Sequence, residues 1–260
     1  MSTVSSKANY TNKDIVFVYN SRIDEYDMKS AGFSVIKQNG LLPPEEISRL
    51  ERMEKQARNI EIGKIRGSNY KFSRRMAEGV RTGMQSFIST NNIKDEKIIS
   101  IKNDAVFVLD TPISTTSIDG IDFVLKNSYS SFLNMNSIEF YYKNGVMDIK
   151  GLSDSTKSNQ HNFLLDHIRA LIFLKESGSR DSMIRTCSQY NTKYLNRTLP
   201  IQHYEELTSQ GGFMISDADD STYYTNIWYE LADEQMKPFI DISYNYLRYI
   251  LPFTKILLAE

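Results

Sequence analysis

Two aspartates stand where the hydrophobic pattern of the chain changes from strand to turn. Asp27 follows an extended segment that begins near Arg22, and Asp104 lies at the tip of a hairpin predicted within residues 98–110. A strand end and a hairpin tip can bring two carboxylates to one sheet edge. Carboxylates are ligands of Mg²⁺, and two such ions can activate an attacking oxygen and stabilise a leaving one. The pattern allows metal-dependent phosphoryl transfer, although a lone aspartate at such a position more often caps the backbone.

The elements that would position these residues alternate between strands and helices. Short β-branched and aromatic runs predict strands, among them residues 14–20, and a tight turn is predicted at Lys143–Gly145. One helix is predicted from Pro43-Pro44 to Gly63 or Gly67, with apolar residues at helical spacing, and a second from Phe72 to Ser89. The pattern indicates an α+β fold with a mostly antiparallel sheet backed by helices.

The amino-acid composition of the sequence changes near residue 155, where we place a domain boundary. A polar stretch there leads into a strongly amphipathic segment, residues 163–176, which predicts a helix. Further helices are predicted at 181–195, at 201–208 and around 244–249, and a short strand at 211–216. The region 156–260 is therefore expected to be mainly helical.

Three segments resemble, in order, the active-site motifs of family B DNA polymerases. Motif A of that family, DxxSLYPSI, is similar to residues 27–36, in which the aspartate, both serines and the aliphatic end coincide. Motif B, KxxxNSxYG, is similar to residues 55–63, which keep the lysine, asparagine and glycine. Motif C, VIYGDTDSVFV, is similar to residues 98–108, and Asp104 falls on the second aspartate of its DTD triplet.

The resemblance implies a polymerase-type palm over residues 1–155, with a short helical fingers insertion at about 40–70 and a small thumb-like region at 156–260. Asp27 and Asp104 would bind two Mg²⁺ or Mn²⁺ ions, and Lys55 would reach the triphosphate of the incoming nucleotide. The other nucleotide-binding candidates are Asn59, Ser30, Gly32 and Phe33. On helical spacing, Arg52 and Arg49 lie about one and two turns before Lys55 and add possible triphosphate contacts.

The chain also departs from these motifs. Lys102 replaces the first acid of motif C, Ile62 replaces the motif B tyrosine, and Gly32 replaces the tyrosine that blocks a ribose 2′-hydroxyl. The last change predicts weak sugar discrimination unless Phe33 fills the space. No exonuclease is recognisable, and the small size suits a phage or mobile element.

Two functions remain open at this stage. One is a minimal DNA polymerase-like nucleotidyltransferase that adds nucleotides to a primer on a template. The other is a catalytically inactive palm-fold protein that binds nucleic acid or serves as a subunit of a replication or transcription complex. The expected partners are primer–template nucleic acid and nucleoside triphosphates, with a larger replication complex as a further possibility.

Composition bounds these expectations. Thirty-one basic and 32 acidic residues give a net charge of −1, and this net charge does not indicate a polyanionic partner. Residues 64–81 nevertheless hold six basic residues and a single acid, Glu78, so they form either a basic stripe or a solvated helix face. No apolar stretch reaches membrane-spanning length and no signal pattern is present, so we expect a cytoplasmic protein that does not bind membranes.

Other candidate sites are weaker. His161 and His167 are poorly spaced for zinc and are expected on an exposed helix face, and the acids around Asp217 lack an EF-hand pattern. The aromatic residues near the carboxyl end could stack on bases but are more often core residues. They are Trp228, Tyr229, Tyr244, Tyr246 and Tyr249.

Overall fold

The computed structural model describes residues 4, 7–135, 138–151, 162–196, 198, 213–217, 220–224, 240–241 and 251–259. The chain divides into two compact units, Met1–Ile15 with Ser21–Tyr129 and Val16–Asn20 with Ser130–Glu260. The division falls between Tyr129 and Ser130, ahead of the boundary expected near 155. It lies there because the strands of residues 131–150 pair with residues 17–18 in a sheet of the second unit.

In the described part of the first unit, six strands form one antiparallel sheet in the order β1-β4-β5-β3-β7-β6. The strands are β1 (Asn9–Thr11), β3 (Ile23–Met28), β4 (Ile98–Lys102), β5 (Ala105–Leu109), β6 (Ser117–Ile118) and β7 (Ile121–Tyr129). Strand β3 lies between β5 and β7 and is buried along most of its length. The predicted hairpin at Asn103-Asp104 is confirmed, and Asn103 adopts the left-handed conformation (φ 54°) that asparagine tolerates.

Helices back this sheet. They are α1 (Ala31–Gln38), α2 (Pro44–Glu51), α3 (Lys55–Ser68), α4 (Tyr70–Thr90) and a short 3-10 helix (Asp95–Lys97). The side chain of Asn69 caps α4 by accepting a hydrogen bond from the Phe72 amide. Apolar residues of α1 and α4 pack with the inner face of the sheet in one core, which includes Met28, Val35, Met84, Phe87, Ile101 and Val106. The α+β class with antiparallel sheets backed by helices is confirmed.

The predicted single helix from residue 44 to Gly63 or Gly67 is instead two helices. Glu54 has an extended backbone (φ −55°, ψ 145°) and interrupts the helical path after Arg52. Helix α3 then continues through Gly63 and Gly67 and ends at Ser68. The helical spacing of apolar residues continues across this break, because Leu50 is buried and Met53 packs against the same core.

The second unit contains a four-stranded antiparallel sheet in the order β10-β9-β8-β2 among its described residues. Its strands are β2 (Phe17–Val18), β8 (Ser131–Met135), β9 (Ile138–Lys143) and β10 (Val146–Lys150), and a separate sheet is formed by β11 (Phe213–Asp217), β12 (Asp220–Tyr224) and β13 (Ile240–Asp241). The predicted turn before β10 is confirmed, since Asn144 and Gly145 both have positive φ (50° and 83°).

In the described residues of the second unit, the helices are α5 (Asn162–Glu176), α6 (Arg180–Leu195) and α7 (Leu251–Leu258). The predicted helices at 163–176 and 181–195 and the strand at 211–216 are thereby confirmed in outline. The predicted helices at 201–208 and 244–249 lie outside the described residues. His167, which was expected to be exposed, is buried and stacks on Tyr190 at 3.6 Å between ring centroids. None of the helices in the described ranges has the length and hydropathy of a transmembrane span.

Candidate active site

Asp27 and Asp104 meet at one edge of the first unit's sheet. Asp27 is near the end of β3 and pairs with Ala105 of β5, the residue that follows Asp104. The amide of Met28 donates a hydrogen bond to the carbonyl oxygen of Asp104 at 2.8 Å. The strand end and the hairpin tip are therefore adjacent, as the sequence predicted.

The two carboxylates influence each other electrostatically. Burial raises the pKa of Asp104 above its ordinary value, and the negative charge of Asp27 raises it further. A backbone hydrogen bond and the charge of Lys126 act in the opposite direction without cancelling these effects. Two carboxylates that repel one another in a partly buried position are suited to share divalent cations.

Lys126 of β7 lies close to this pair of carboxylates. The sequence analysis did not identify this residue. Its Nζ lies 3.5 Å from Oδ2 of Asp27 and 3.4 Å from Oε1 of Glu25. Burial lowers the pKa of Lys126, but the charges of Glu25 and Asp27 outweigh burial and leave the pKa above its ordinary value. Lys126 is therefore charged at neutral pH. Only the pairing of β3 with β7, about 100 residues apart, reveals its position.

A cleft of about 740 Å³ opens beside the two aspartates. Its lining combines the hairpin tip of β4 and β5, the turn from β3 into α1, and faces of α3 and α4. Ser30 makes that turn with a left-handed backbone (φ 49°), and it is the one described non-glycine residue with positive φ that is neither asparagine nor aspartate. Six predicted site residues line the cleft: Asp27, Ser30, Gly32, Lys55, Asn59 and Asp104.

Two predicted site residues lie elsewhere in the fully described stretch from residue 7 to 135. Phe33 is buried in the helix–sheet core, and the Arg58 guanidinium lies 4.5 Å from its ring centre. Arg52 lies on an exposed turn, because the break between α2 and α3 removes the continuous helix on which its assignment rested. The prediction for Arg49 rested on the same continuous helix. The Arg49 guanidinium pairs with Glu46 and Glu61 at 3.3 and 3.2 Å.

Basic and apolar side chains complete the cleft. Arg66 and Arg81, two members of the basic stripe recognised in the sequence, join Lys55 in the lining. Part of the cleft wall is apolar and includes Ile62 and Met76. Both side chains lie close to Gly32, because a Cβ atom added there would be 3.7 Å from Ile62 Cγ2 and 3.8 Å from Met76 Sδ. Lys102 points toward β1 instead, where its Nζ donates to Thr11 Oγ1 at 3.1 Å.

The donor set fits a hard divalent cation. Mg²⁺ is commonly held by one or two carboxylates while phosphates and water complete its coordination. Asp27 and Asp104 supply such a pair, while no group of three or more His, Cys, Asp or Glu side chains that could hold a metal occurs among the described residues, here or elsewhere. The lining of the cleft therefore combines carboxylate oxygens with basic groups.

Comparison with known proteins relates the chain to a phage protein family. A family model described as Bacteriophage PBS1 gene 130 protein matches residues 1–259. A search of curated proteins found no significant match. The family description carries no statement of activity, so the chemistry has to be inferred from the cleft.

Proposed function

The chain belongs to the Bacteriophage PBS1 gene 130 protein family, and from the cleft within it we propose a minimal DNA polymerase-like nucleotidyltransferase built on a polymerase-type palm. The observation that supports this proposal is the position of Asp27, Asp104, Lys55 and Asn59. Residues separated by up to 77 positions line one cleft, and all four lie in the segments that resemble the polymerase motifs.

The reaction would be transfer of a nucleotide to a primer 3′-hydroxyl. The 3′-oxygen forms a bond to the α-phosphorus, the bond from that phosphorus to the pyrophosphate oxygen breaks, and pyrophosphate leaves with the electron pair. The hydroxyl proton passes to solvent. Two Mg²⁺ or Mn²⁺ ions held by Asp27 and Asp104 would activate the 3′-oxygen and stabilise the leaving oxygen. Such a reaction depends chiefly on positioning and charge neutralisation.

Lys55 lines the cleft and would receive the triphosphate. It is the first residue of the 14-residue helix α3, so its positive charge adds to the positive end of the helix dipole. Both features attract phosphate oxygens. Asn59, one turn further along α3, also lines the cleft and would contact the nucleotide.

Arg66 and Arg81 suit the remaining polyanion, the primer–template. They concentrate positive charge at the cleft in a chain whose net charge is −1. The small size of the chain also fits a subunit of a larger replication complex in the host cytoplasm.

Primer extension tests the proposal. The purified full chain is incubated with a labelled primer–template, Mg²⁺ or Mn²⁺, and deoxy- or ribonucleoside triphosphates. We expect extension that Asp104→Asn lowers at least about 100-fold. Asp119→Asn is a matched control, because Asp119 is an exposed aspartate in another hairpin turn and should leave extension unchanged.

The alternative function gives a different result. Primer–template binding without extension under any of these conditions would rule out the enzyme. That outcome would favour a catalytically inactive palm-fold protein that binds nucleic acid or a partner. The changes at Lys102, Gly32 and Ile62 are the features that such a protein would explain.

A further inference from the structure

A β-bulge in β7 places Lys126 next to the catalytic edge. Glu25 pairs with Asn127 and Tyr26 pairs with Leu125, so Lys126 is an extra residue between two regular pairs. A bulge redirects a side chain that would otherwise point to the opposite face of the sheet, and bulges are frequent beside active sites. The bulge thereby allows Lys126 and its neighbour Asn127 to approach the same carboxylate.

That carboxylate, Glu25, is fixed in place. It is 2% exposed and accepts hydrogen bonds from Asn127 Nδ2 at 2.6 Å and from the Tyr129 hydroxyl at 3.2 Å. The Lys126 ammonium lies 3.4 Å from its other oxygen. Because an unpaired buried carboxylate is costly, Glu25 holds the ammonium near this position.

From this position the ammonium also faces Asp27, at 3.5 Å from Oδ2. The Lys126 side chain is 51% exposed, so it can swing away from Asp27 while the Glu25 contact keeps it close. Asp27 thus has a positive partner supplied by the protein itself, at the oxygen atoms that a divalent ion would use.

We infer that Lys126 is a built-in counter-ion for Asp27 that competes with the divalent cation and so sets the metal affinity of the site. Lys126 is a positioning residue, since it acts through Asp27. The inference rests on the proposed function for the identity of the ion. A positive charge this close to the carboxylate repels an incoming cation, so its removal should strengthen metal binding.

The test measures binding of Mn²⁺ alone to the full chain, with free Mn²⁺ followed by electron paramagnetic resonance. Lys126→Met removes the charge and retains the aliphatic stem, and we expect about ten-fold tighter binding. Lys126→Arg keeps the charge and should bind within about two-fold of the wild type. Lys29→Met is the matched control, because Lys29 is near Asp27 in sequence but pairs with Asp122 at 3.9 Å.

Thermal unfolding followed by circular dichroism checks that each variant is folded. If Lys126→Met unfolds because Glu25 loses its cation, Lys126→Gln provides the comparison, since the amide can still donate to Glu25 without a charge. Equal or weaker Mn²⁺ binding in the folded neutral variant, or no binding in either wild type or variant, would overturn the inference.

Failure of the proposed function is distinguishable from failure of the inference. A wild-type chain that binds Mn²⁺ but never extends a primer would refute the polymerase activity, while the comparison between Lys126 and its neutral variants would still decide the role of Lys126. Conversely, the wild type could extend primers while substitution of Lys126 leaves the metal affinity unchanged. That result would leave the polymerase proposal standing and refute the counter-ion role of Lys126.

Discussion

A carboxylate charge at Asp104 is held in the cleft only at a cost to the free energy of folding. Burial and the neighbouring charge of Asp27 raise its folded pKa above the unfolded value. The unfolded chain therefore releases this proton first as pH rises, and stability falls through the interval between the two pKa values. Above the folded pKa the full penalty applies, and below the unfolded pKa it is absent.

Asp104→Asn should consequently stabilise the metal-free protein at pH 7 while it abolishes extension. The gain in the free energy of unfolding should disappear as pH falls toward the ordinary carboxyl range. Urea unfolding between pH 7 and pH 4, with a chelator present, measures it. A loss of stability for Asp104→Asn at pH 7 would contradict the prediction.

In the proposed polymerase, Gly32 would determine a second residue-scale property, the choice of sugar. Phe33 is buried in the core and does not fill the space beside Gly32, so the structure provides no aromatic ring at the position that blocks a 2′-hydroxyl in the resembling family. We expect ribo- and deoxynucleotides to be incorporated within about ten-fold of one another. Competition between the two in a primer-extension assay measures this ratio, and strong rejection of ribonucleotides would mean that another side chain closes the gap.

At the scale of elements, α4 approaches α1 at Gly79. A Cβ atom there would overlap Val35 Cγ1 and lie 2.6 Å from Asn39 Nδ2. Gly79→Ala should therefore lower the free energy of unfolding by about 1–3 kcal/mol through overpacking.

Gly63→Ala is the matched control for this effect. No atom lies within 4 Å of a Cβ placed on Gly63 inside α3, so the substitution should raise the free energy of unfolding by about 0.5–1 kcal/mol through helix propensity. Urea unfolding of both variants gives the comparison. If both changed stability in the same direction, close packing between α1 and α4 would not be the reason for Gly79.

The sequence predicted elements and cleft residues where the information was local. The hairpin at Asp104 and the lysine and asparagine of α3 follow from turn chemistry and motif spacing. The position of Arg52 outside the cleft lining was not foreseen, because apolar spacing does not reveal the extended Glu54 that separates two helices. Lys126 was missed because its role depends on the register between β3 and β7 and on a bulge, which require long-range pairing.

At the scale of the whole molecule, the division into units could not be read from composition. The change of composition near residue 155 coincides with a polar segment, whereas the units separate at Tyr129. Residues 16–20 belong with the second unit because Phe17 and Val18 pair with Leu133 and Phe132 of β8. A two-residue strand gives too weak a local signal to predict a partner more than 100 residues away.

The central position of β3 also has a consequence for synthesis on the ribosome. Asp27 pairs with Ala105 on one side and Val124 on the other, so both neighbouring strands are made long after β3 itself. At translation rates of about 5–20 residues per second, β3 waits roughly 4–16 s before β5 emerges to pair with it. Pairing between strands so far apart in sequence slows folding, and β3, which carries Asp27, cannot pair on either side until later strands are made.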